Sequence, residues 1–363
     1  MRITFVLPST GEYPSGGAKV VYEYASGLAQ RGHKVIVVHL PYHSWSGNSL
    51  SWHARRLISY AGRASGLTGT YTPRSWLSVD PKVELRFVPY LSRLLLPHAD
   101  LLIATAWQTA ELICRFPLSY GRKIYFIHDY EHYMAADRQV RERIGATFRV
   151  GMHNLVTSPA GAQMVTECGG EVNSSIPNGL DFRIFALHEA VVSPKRNSIG
   201  FPTRPESFKG TADALAALRH VYATLGGIVN VWSFGLAPSS EMPGWITFYP
   251  RPSSEELAGL YNRSKIFLVP SHYEGWGLPG AEAMACGAAL VSTDNGGVRA
   301  YAHHEVNALL VPPQQPAALA AEILRLVRHP ELRVRLAEAG YQSIQRFTWT
   351  QALDAFEKIA TTA

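Results

Sequence analysis

Cysteine is scarce: Cys114, Cys168 and Cys286 are the three in 363 residues, scattered and without metal-ligand spacing. That argues against a disulfide framework and a cysteine-built zinc site, and fits reduced, buried thiols. No apolar run approaches the ~20 residues of a membrane-spanning helix. The opening Met1-Arg-Ile-Thr-Phe-Val-Leu7 meets Pro8 too early for a signal peptide and reads as a first β-strand, so a cytoplasmic chain is expected. No D-x-D pair occurs, so no metal ion or other cofactor is expected. Tandem repeats are absent.

Acidic residues are missing altogether between Glu23 and Asp80. That gap carries Arg31, Lys34, Arg55, Arg56, Arg63 and Arg74, with Trp45, Trp52 and Trp76 among them. Residues 1–175 hold 18 Lys/Arg against 12 Asp/Glu, whereas the remainder is balanced at 16 and 16, so the net charge of +6 sits in the first half. A basic, aromatic stretch over 31–79 suits anionic headgroups at the inner face of a membrane or a phosphorylated acceptor. A plain solvated basic loop fits equally well. Nucleic acid is not expected, because no recognition motif accompanies the charge.

What is present is 47% apolar residues on a chain too long for one core, hence two domains. Ile266-Phe-Leu-Val-Pro270 and Ala288-Ala-Leu-Val-Ser-Thr293 read as buried parallel strands. Between them, Glu274-Gly-Trp-Gly-Leu-Pro279 is a glycine-rich turn into a helix, with Pro279 at the first helical position and Gly287 as the stop. Gly275 and Gly277 let the backbone approach a ligand. The free amides of the helix start suit a phosphate or a sugar hydroxyl. Glu274 lies in the turn and Glu282 in the first helical turn, so two carboxylates flank one crevice. Taken alone, a pair of Glu eight apart is more often a loop charge and a helix charge.

The opening repeats this plan: a strand over 3–7, a loop reaching Gly16-Gly17, a helix over 18–30, then Val35-Ile-Val-Val-His39. The opening unit has no G-x-G-x-x-G, so it is not a dinucleotide fingerprint. Residues 41–80 read as loops and one or two short helices. Lys123-Ile-Tyr-Phe-Ile127 is a strand, and His128 at its carboxyl end faces the ligand side of an open α/β sheet. Pro177-Asn-Gly-Leu-Asp181 is a turn closing the first half. Thr203-Arg204-Pro-Glu-Ser-Phe-Lys209-Gly210 places two cations in a turn before a helix, either as solvated loop charges or as a pair able to meet an anion, Arg bidentately and Lys as a point charge. Thr293-Asp-Asn-Gly-Gly297 reads as a loop able to approach the ligand.

The string from EGWGLP through EAMACG to STDNGG resembles the E-x7-E signature of retaining glycosyltransferases of the GT-B fold, family 4. Gly16-Gly17, Gly32-His-Lys-Val35, His128, Arg204 with Lys209 and Pro177-Asn-Gly-Leu-Asp181 match that family in order. Its Glu after the second Gly-Gly is replaced here by Ala300, so that role stays unassigned. Tyr125-Phe-Ile-His-Asp-Tyr-Glu131 also looks like bacterial rhamnosyltransferases. The resemblance implies an α/β GT-B fold: two Rossmann-like domains facing a central cleft, 1–180 for the acceptor and 181–346 for the donor, with a C-terminal helix (347–363) crossing back to the first. It implies sugar transfer from a nucleotide-diphosphate sugar to a glycan, lipid-linked or small-molecule acceptor, by same-face attack and without metal. Glu274, His128, Arg204 and Lys209 would be catalytic. Gly275, Trp276, Gly277, Leu278, Glu282, Gly16 and Gly17 would bind the donor, with Glu282 on the ribose. The alternatives are a GT-B nucleotide-sugar epimerase or phosphorylase, a non-catalytic nucleotide-sugar-binding protein, or a membrane-associated interaction module.

Overall fold

Short β-branched and aromatic runs, bounded by turn residues, form two parallel sheets. In the first, Arg2–Leu7 (β1), Lys34–His39 (β2), Glu84–Phe87 (β3), Leu101–Ala104 (β4), Arg122–Ile127 (β5), His153–Val156 (β6) and Ser174–Ser175 (β7) lie in the order β3-β2-β1-β4-β5-β6-β7. In β1 and β2 every residue after the first is buried, as expected where helices cover both faces. Its helices are Gly16–Gln30 (α1), Leu50–Ala64 (α2), Trp107–Ile113 (α3), Glu131–Met134 (α4), Arg138–Thr147 (α5) and Pro159–Glu167 (α6). The second sheet repeats the plan with Ser198–Pro202 (β8), Asn230–Gly235 (β9), Ile246–Pro250 (β10), Ser264–Val269 (β11), Ala289–Thr293 (β12) and Leu309–Val311 (β13), in the order β10-β9-β8-β11-β12-β13. With it go Thr211–Thr224 (α7), Ser254–Arg263 (α8), Leu278–Ala285 (α9), Pro316–Arg328 (α10) and Pro330–Ile344 (α11), and Trp349–Thr362 (α12) ends the chain. The structure is a computed structural model that describes residues 1–8, 15–40, 50–65, 73, 76–129 and 131–362.

The chain divides into two compact units. Unit 1 takes Met1–Thr157, Gly161–Ile176 and Leu353–Ala363; unit 2 takes Ser158–Ala160 and Pro177–Ala352. The chain's end therefore returns to unit 1. There Phe356 packs on Tyr24 and Phe5, and Arg31 pairs with Asp354 and Glu357 at 2.6 Å each.

One element differs from the sequence reading. Residues 50–64 form a single helix of 15 residues rather than loops and short helices. Ser, His and Arg interrupt its apolar positions and weaken the periodicity, but no proline breaks it. Trp45 and Arg74 lie outside the described residues, as do the side chains of Trp52, Arg56 and Arg63, so the basic stretch proposed for a membrane is described only in part.

Candidate active site

In an open α/β sheet the crevice forms where the strand order reverses, outside the carboxyl ends of the strands there. In unit 2 that point lies between the neighbours β8 and β11. Arg204 and Lys209 follow β8; Ser271 and Glu274 follow β11. Gly210 lets the two turns meet. It sits at φ 67°, and a Cβ there would lie 2.0 Å from the Pro270 carbonyl oxygen. The amide of His272 donates to Phe208 O at 2.7 Å, and its ring pairs with Asp213 on α7 at 2.7 Å.

So joined, the turns bring charge together. Lys209 Nζ donates to Glu274 Oε2 at 3.0 Å, and Ser271 Oγ donates to Oε1 at 2.7 Å. Each oxygen of Glu274 thus accepts a hydrogen bond. Half-buried Arg204 lies over the Phe234 ring at 5.2 Å and donates through Nη1 to Thr203 O at 2.9 Å. The loop after β12, expected to approach the ligand, packs against the backbone of Glu274. Glu274 N donates to Asn295 O at 3.1 Å, and a Cβ on Gly297 would reach Glu274 O at 2.5 Å.

Helix α9 starts one residue earlier than expected. Gly277 caps it at φ 89°, Leu278 is its first residue and Pro279 its second. Glu282 consequently falls in the second turn. It is 4% exposed, and its Oε2 accepts from Tyr261 OH at 3.3 Å. Burial raises the Tyr261 phenol well above its usual range, and Glu282 adds to that while Arg204 opposes it, so these three groups share one neighbourhood. Tyr301 donates to Gly277 O at 2.7 Å; burial raises its phenol, and the charges of both Glu274 and Glu282 push it further. Trp276 lies in the same turn. Its indole is 2% exposed and packs on Tyr301 and Phe347, so only its backbone can serve a ligand.

In unit 1, Gly16 and Gly17 open α1, capped by Ser15 Oγ, which accepts from Ala18 N at 3.2 Å. A Cβ on Gly17 would meet His128 Nε2 at 2.7 Å, so the imidazole rests on this glycine. Burial pushes the His128 pKa down, and the charge of Asp129 opposes the shift only in part, which favours a neutral ring. Three residues on, Glu131 Oε2 accepts from Trp107 N and Tyr125 OH at 2.9 Å each.

Burial, reinforced by the charge of Asp129, raises Glu131 from 4.5 to about 8 despite those donors. A carboxyl with a raised folded-state pKa contributes stability that is complete below pH 4.5 and is lost as pH climbs through 8. Glu131→Gln should leave the melting temperature nearly unchanged at pH 5 and raise it at pH 9, by an amount equivalent to roughly 3 kcal/mol or less. Melting curves across that range check it; parallel profiles for the two proteins would refute it.

The structure thus brings Arg204, Lys209, Glu274, Glu282 and the Gly275–Leu278 backbone together in unit 2, and Gly17 with His128 in unit 1. Sequence reasoning missed Ser271 and Tyr261, the partners of the two glutamates. No residue type announces such a support. It also passed over the spelling Gly275-Trp-Gly-Leu-Pro-Gly280, which fits G-x-G-x-x-G after a strand and into a helix.

Comparison with known proteins agrees with this picture. Residues 236–343 match the family described as "Glycosyl transferases group 1". A D-inositol 3-phosphate glycosyltransferase of Segniliparus rotundus is 28% identical over 199 residues, covering 49% of this chain and 44% of that protein. One from Xylanimonas cellulosilytica is 34% identical, covering 61% and 54%. The O-antigen biosynthesis protein RfbC of Myxococcus xanthus is 27% identical, covering 73% of this chain and 21% of its own length. The chain therefore spans about half or less of the length of these curated relatives. Among solved structures, sucrose-phosphate synthase of Thermosynechococcus elongatus superposes with a TM-score of 0.75 at 18% identity, covering 99% and 98%. Anabaena HepE, solved with UDP and glucose, gives 0.74 at 17%, covering 100% of both chains. At such identities the likeness establishes the fold, which is GT-B, with its two parallel-sheet α/β units.

Proposed function

We propose that this chain is a retaining glycosyltransferase that takes its sugar from a nucleotide-diphosphate donor bound on unit 2. The observation carrying the proposal is the Arg204, Lys209 and Glu274 constellation at the switch point of the second sheet. Lys209 and Arg204 stabilise the charge that develops on the departing diphosphate, the main catalytic contribution. Glu274 and the Gly275–Leu278 amides orient the sugar hydroxyls. Glu282, held by Tyr261, takes the ribose hydroxyls. His128, with Gly16 and Gly17 beside it, acts on the reactants from unit 1, which also binds the acceptor. The departing phosphate accepts the acceptor's proton in a same-face attack, so no glycosyl–enzyme forms. With two cations on the diphosphate and no D-x-D pair, turnover is proposed to persist in chelator.

Support comes from the family match over 236–343 and from HepE, whose structures hold UDP-glucose. The names of the relatives put phosphorylated small alcohols and glycan chains first among acceptors to try. The rhamnosyltransferase likeness of 125–131 adds dTDP-sugars to the donors. Membrane contact through the basic 31–79 stretch, in a cytoplasmic setting, is part of the proposal.

A thermal-shift screen against UDP, GDP, dTDP and ADP tests the donor site, because a ligand at about 100 times its Kd stabilises by about 2.7 kcal/mol. One diphosphate should stand out, and Arg204→Ala and Glu282→Ala should each diminish its shift. A shift untouched by both variants removes the assignment. Binding without slow donor hydrolysis would favour a non-catalytic protein. NAD belongs in the screen on account of the Gly275–Gly280 spelling. Asp294, the acidic residue suitably placed for a ribose, is instead held by Arg299 through two bonds of 2.7 Å.

A further inference from the structure

The amino-terminal edge of the unit 1 sheet, opposite the strand ends discussed above, has a repeated composition. The segments entering β4, β5 and β6 are Arg93-Leu94-Leu95, Arg115-Phe-Pro-Leu118 and Arg149-Val150. In each, an exposed arginine precedes an exposed apolar side chain. Leu94 is 96% exposed and Leu118 75%, far beyond a typical leucine in a folded chain. Because β4, β5 and β6 are consecutive parallel neighbours, the three segments form one row.

The row is built, not frayed. Tyr120 OH donates to Arg93 O at 2.7 Å, and the His98 ring bonds Ser119 O at 2.7 Å while stacking on Tyr120. These contacts lock the first segment to the second. On the β6 side, Asn154 Nδ2 donates to Phe148 O at 2.8 Å, and Phe148 stacks on Tyr125 of β5. Over residues 93–100, 115–121 and 148–152 the one acidic side chain is Asp100, whose carboxylate is engaged by the Arg2 amide at 2.7 Å and its guanidinium at 3.4 Å. The face therefore presents apolar tips between cations, of which Arg149 also donates to Cys168 O; exposed Glu171 borders it on the β6 side, its carbonyl sharing the Asn154 amide with Phe148 O.

We propose that this edge is a docking face for an anionic lipid surface. Leu94, Leu118 and Val150 enter the headgroup region, and Arg93, Arg115 and Arg149 meet lipid phosphates. Charge complementarity selects this occupant. A hydrophobic protein partner has no need of an arginine in every segment, and a second copy of this chain would set arginine against arginine. Among the described residues no helix is long and apolar enough to cross a membrane, so attachment is peripheral. The proposal is independent of sugar transfer and distinct from α2.

Sedimentation of the full chain with vesicles of equal parts phosphatidylcholine and phosphatidylglycerol tests it. Binding should require phosphatidylglycerol and weaken as salt rises. Leu94→Glu with Leu118→Glu should lower the bound fraction about tenfold, as should Arg93→Glu with Arg115→Glu. Neither should move the melting temperature, since these side chains are exposed. An unaltered chain that ignores these vesicles overturns the proposal. So does binding kept by both paired variants, binding lost only on Arg55→Ala in α2, or self-association that the leucine pair abolishes.

Discussion

Glu274→Gln should lower kcat by about 10²- to 10³-fold while the nucleotide diphosphate binds as tightly as before or more tightly. The two halves of this result follow from one contact. Lys209 Nζ is held by Glu274 Oε2 at 3.0 Å, with both side chains largely shielded from solvent. A diphosphate must compete with that carboxylate for the lysine. Removing the charge and keeping the shape releases Lys209 to the phosphates, so product-like UDP or its counterpart loses nothing. The chemical step loses the carboxylate that, with Ser271 at 2.7 Å on its other oxygen, is fixed to hold the sugar. Because glutamine can neither accept two charge-assisted bonds nor polarise a hydroxyl as well, transition-state binding suffers and ground-state binding does not. Titration calorimetry with the nucleotide and steady-state rates with its sugar measure the two halves. A variant that binds nucleotide tenfold more weakly, or one that turns over normally, removes Glu274 from its proposed role. A sugar–Glu274 adduct seen by mass spectrometry in the unaltered protein would keep the residue but overturn same-face attack.

What could be read from residues alone was whatever depends on order along the chain. Ile266–Val269 and Ala289–Thr293 announce buried strands by composition, and the glycines and cations beyond β8 and β11 mark strand ends by type. The parallel order, with its reversal between β8 and β11, then makes neighbours of Lys209 and Glu274, 65 positions apart. What could not be read depends on the direction of a side chain. Trp276 sits in the motif between two glycines, yet its indole is buried against Tyr301 and Phe347. The sequence reading puts Glu282 in the first helical turn because Pro279 suits a first position; the helix begins at Leu278, so Glu282 is its fifth residue, at the start of the second turn and against Tyr261. The segment 182–197 carries Arg183, Lys195 and Arg196 among apolar residues. Nothing in its composition distinguishes Arg196 from its exposed neighbours.

Arg196→Met should be the most destabilising of the substitutions considered, by about 3–5 kcal/mol. The guanidinium is buried, with Arg196 only 5% exposed, and it has carbonyls rather than a carboxylate around it. Nε and Nη2 donate to Glu189 O at 3.2 and 2.5 Å, and Nε also to Ala190 O at 3.1 Å. Nη1 donates to Tyr261 O at 3.4 Å and Ser264 O at 3.1 Å, and Nη2 to Cys286 O at 2.6 Å. Tyr261 and Ser264 end α8, and Cys286 ends α9. One cation therefore serves the carboxyl ends of two helices, where their dipoles are negative, while it ties the 186–196 segment to them. Burial lowers the arginine pKa, but not enough to discharge it. Methionine fills the volume but supplies no donor; Ala190 O and Tyr261 O keep the amides of Ser193 and Ser264, while Glu189 O, Ser264 O and Cys286 O lose the guanidinium, at about 1 kcal/mol or more for each left unsatisfied. For a unit of this size the melting transition of unit 2 should fall by about 10 °C. Arg196→Lys keeps the charge but offers three donors from one point, so its transition should lie between the two. The same helix α9 is capped at its other end by Gly277 and carries Glu282 one turn before Cys286, so the loss should reach the donor site as a raised nucleotide Kd, partly offset in the melting curve by saturating nucleotide. A methionine variant melting within about 2 °C of the parent would show that water satisfies those carbonyls and that the clamp carries little.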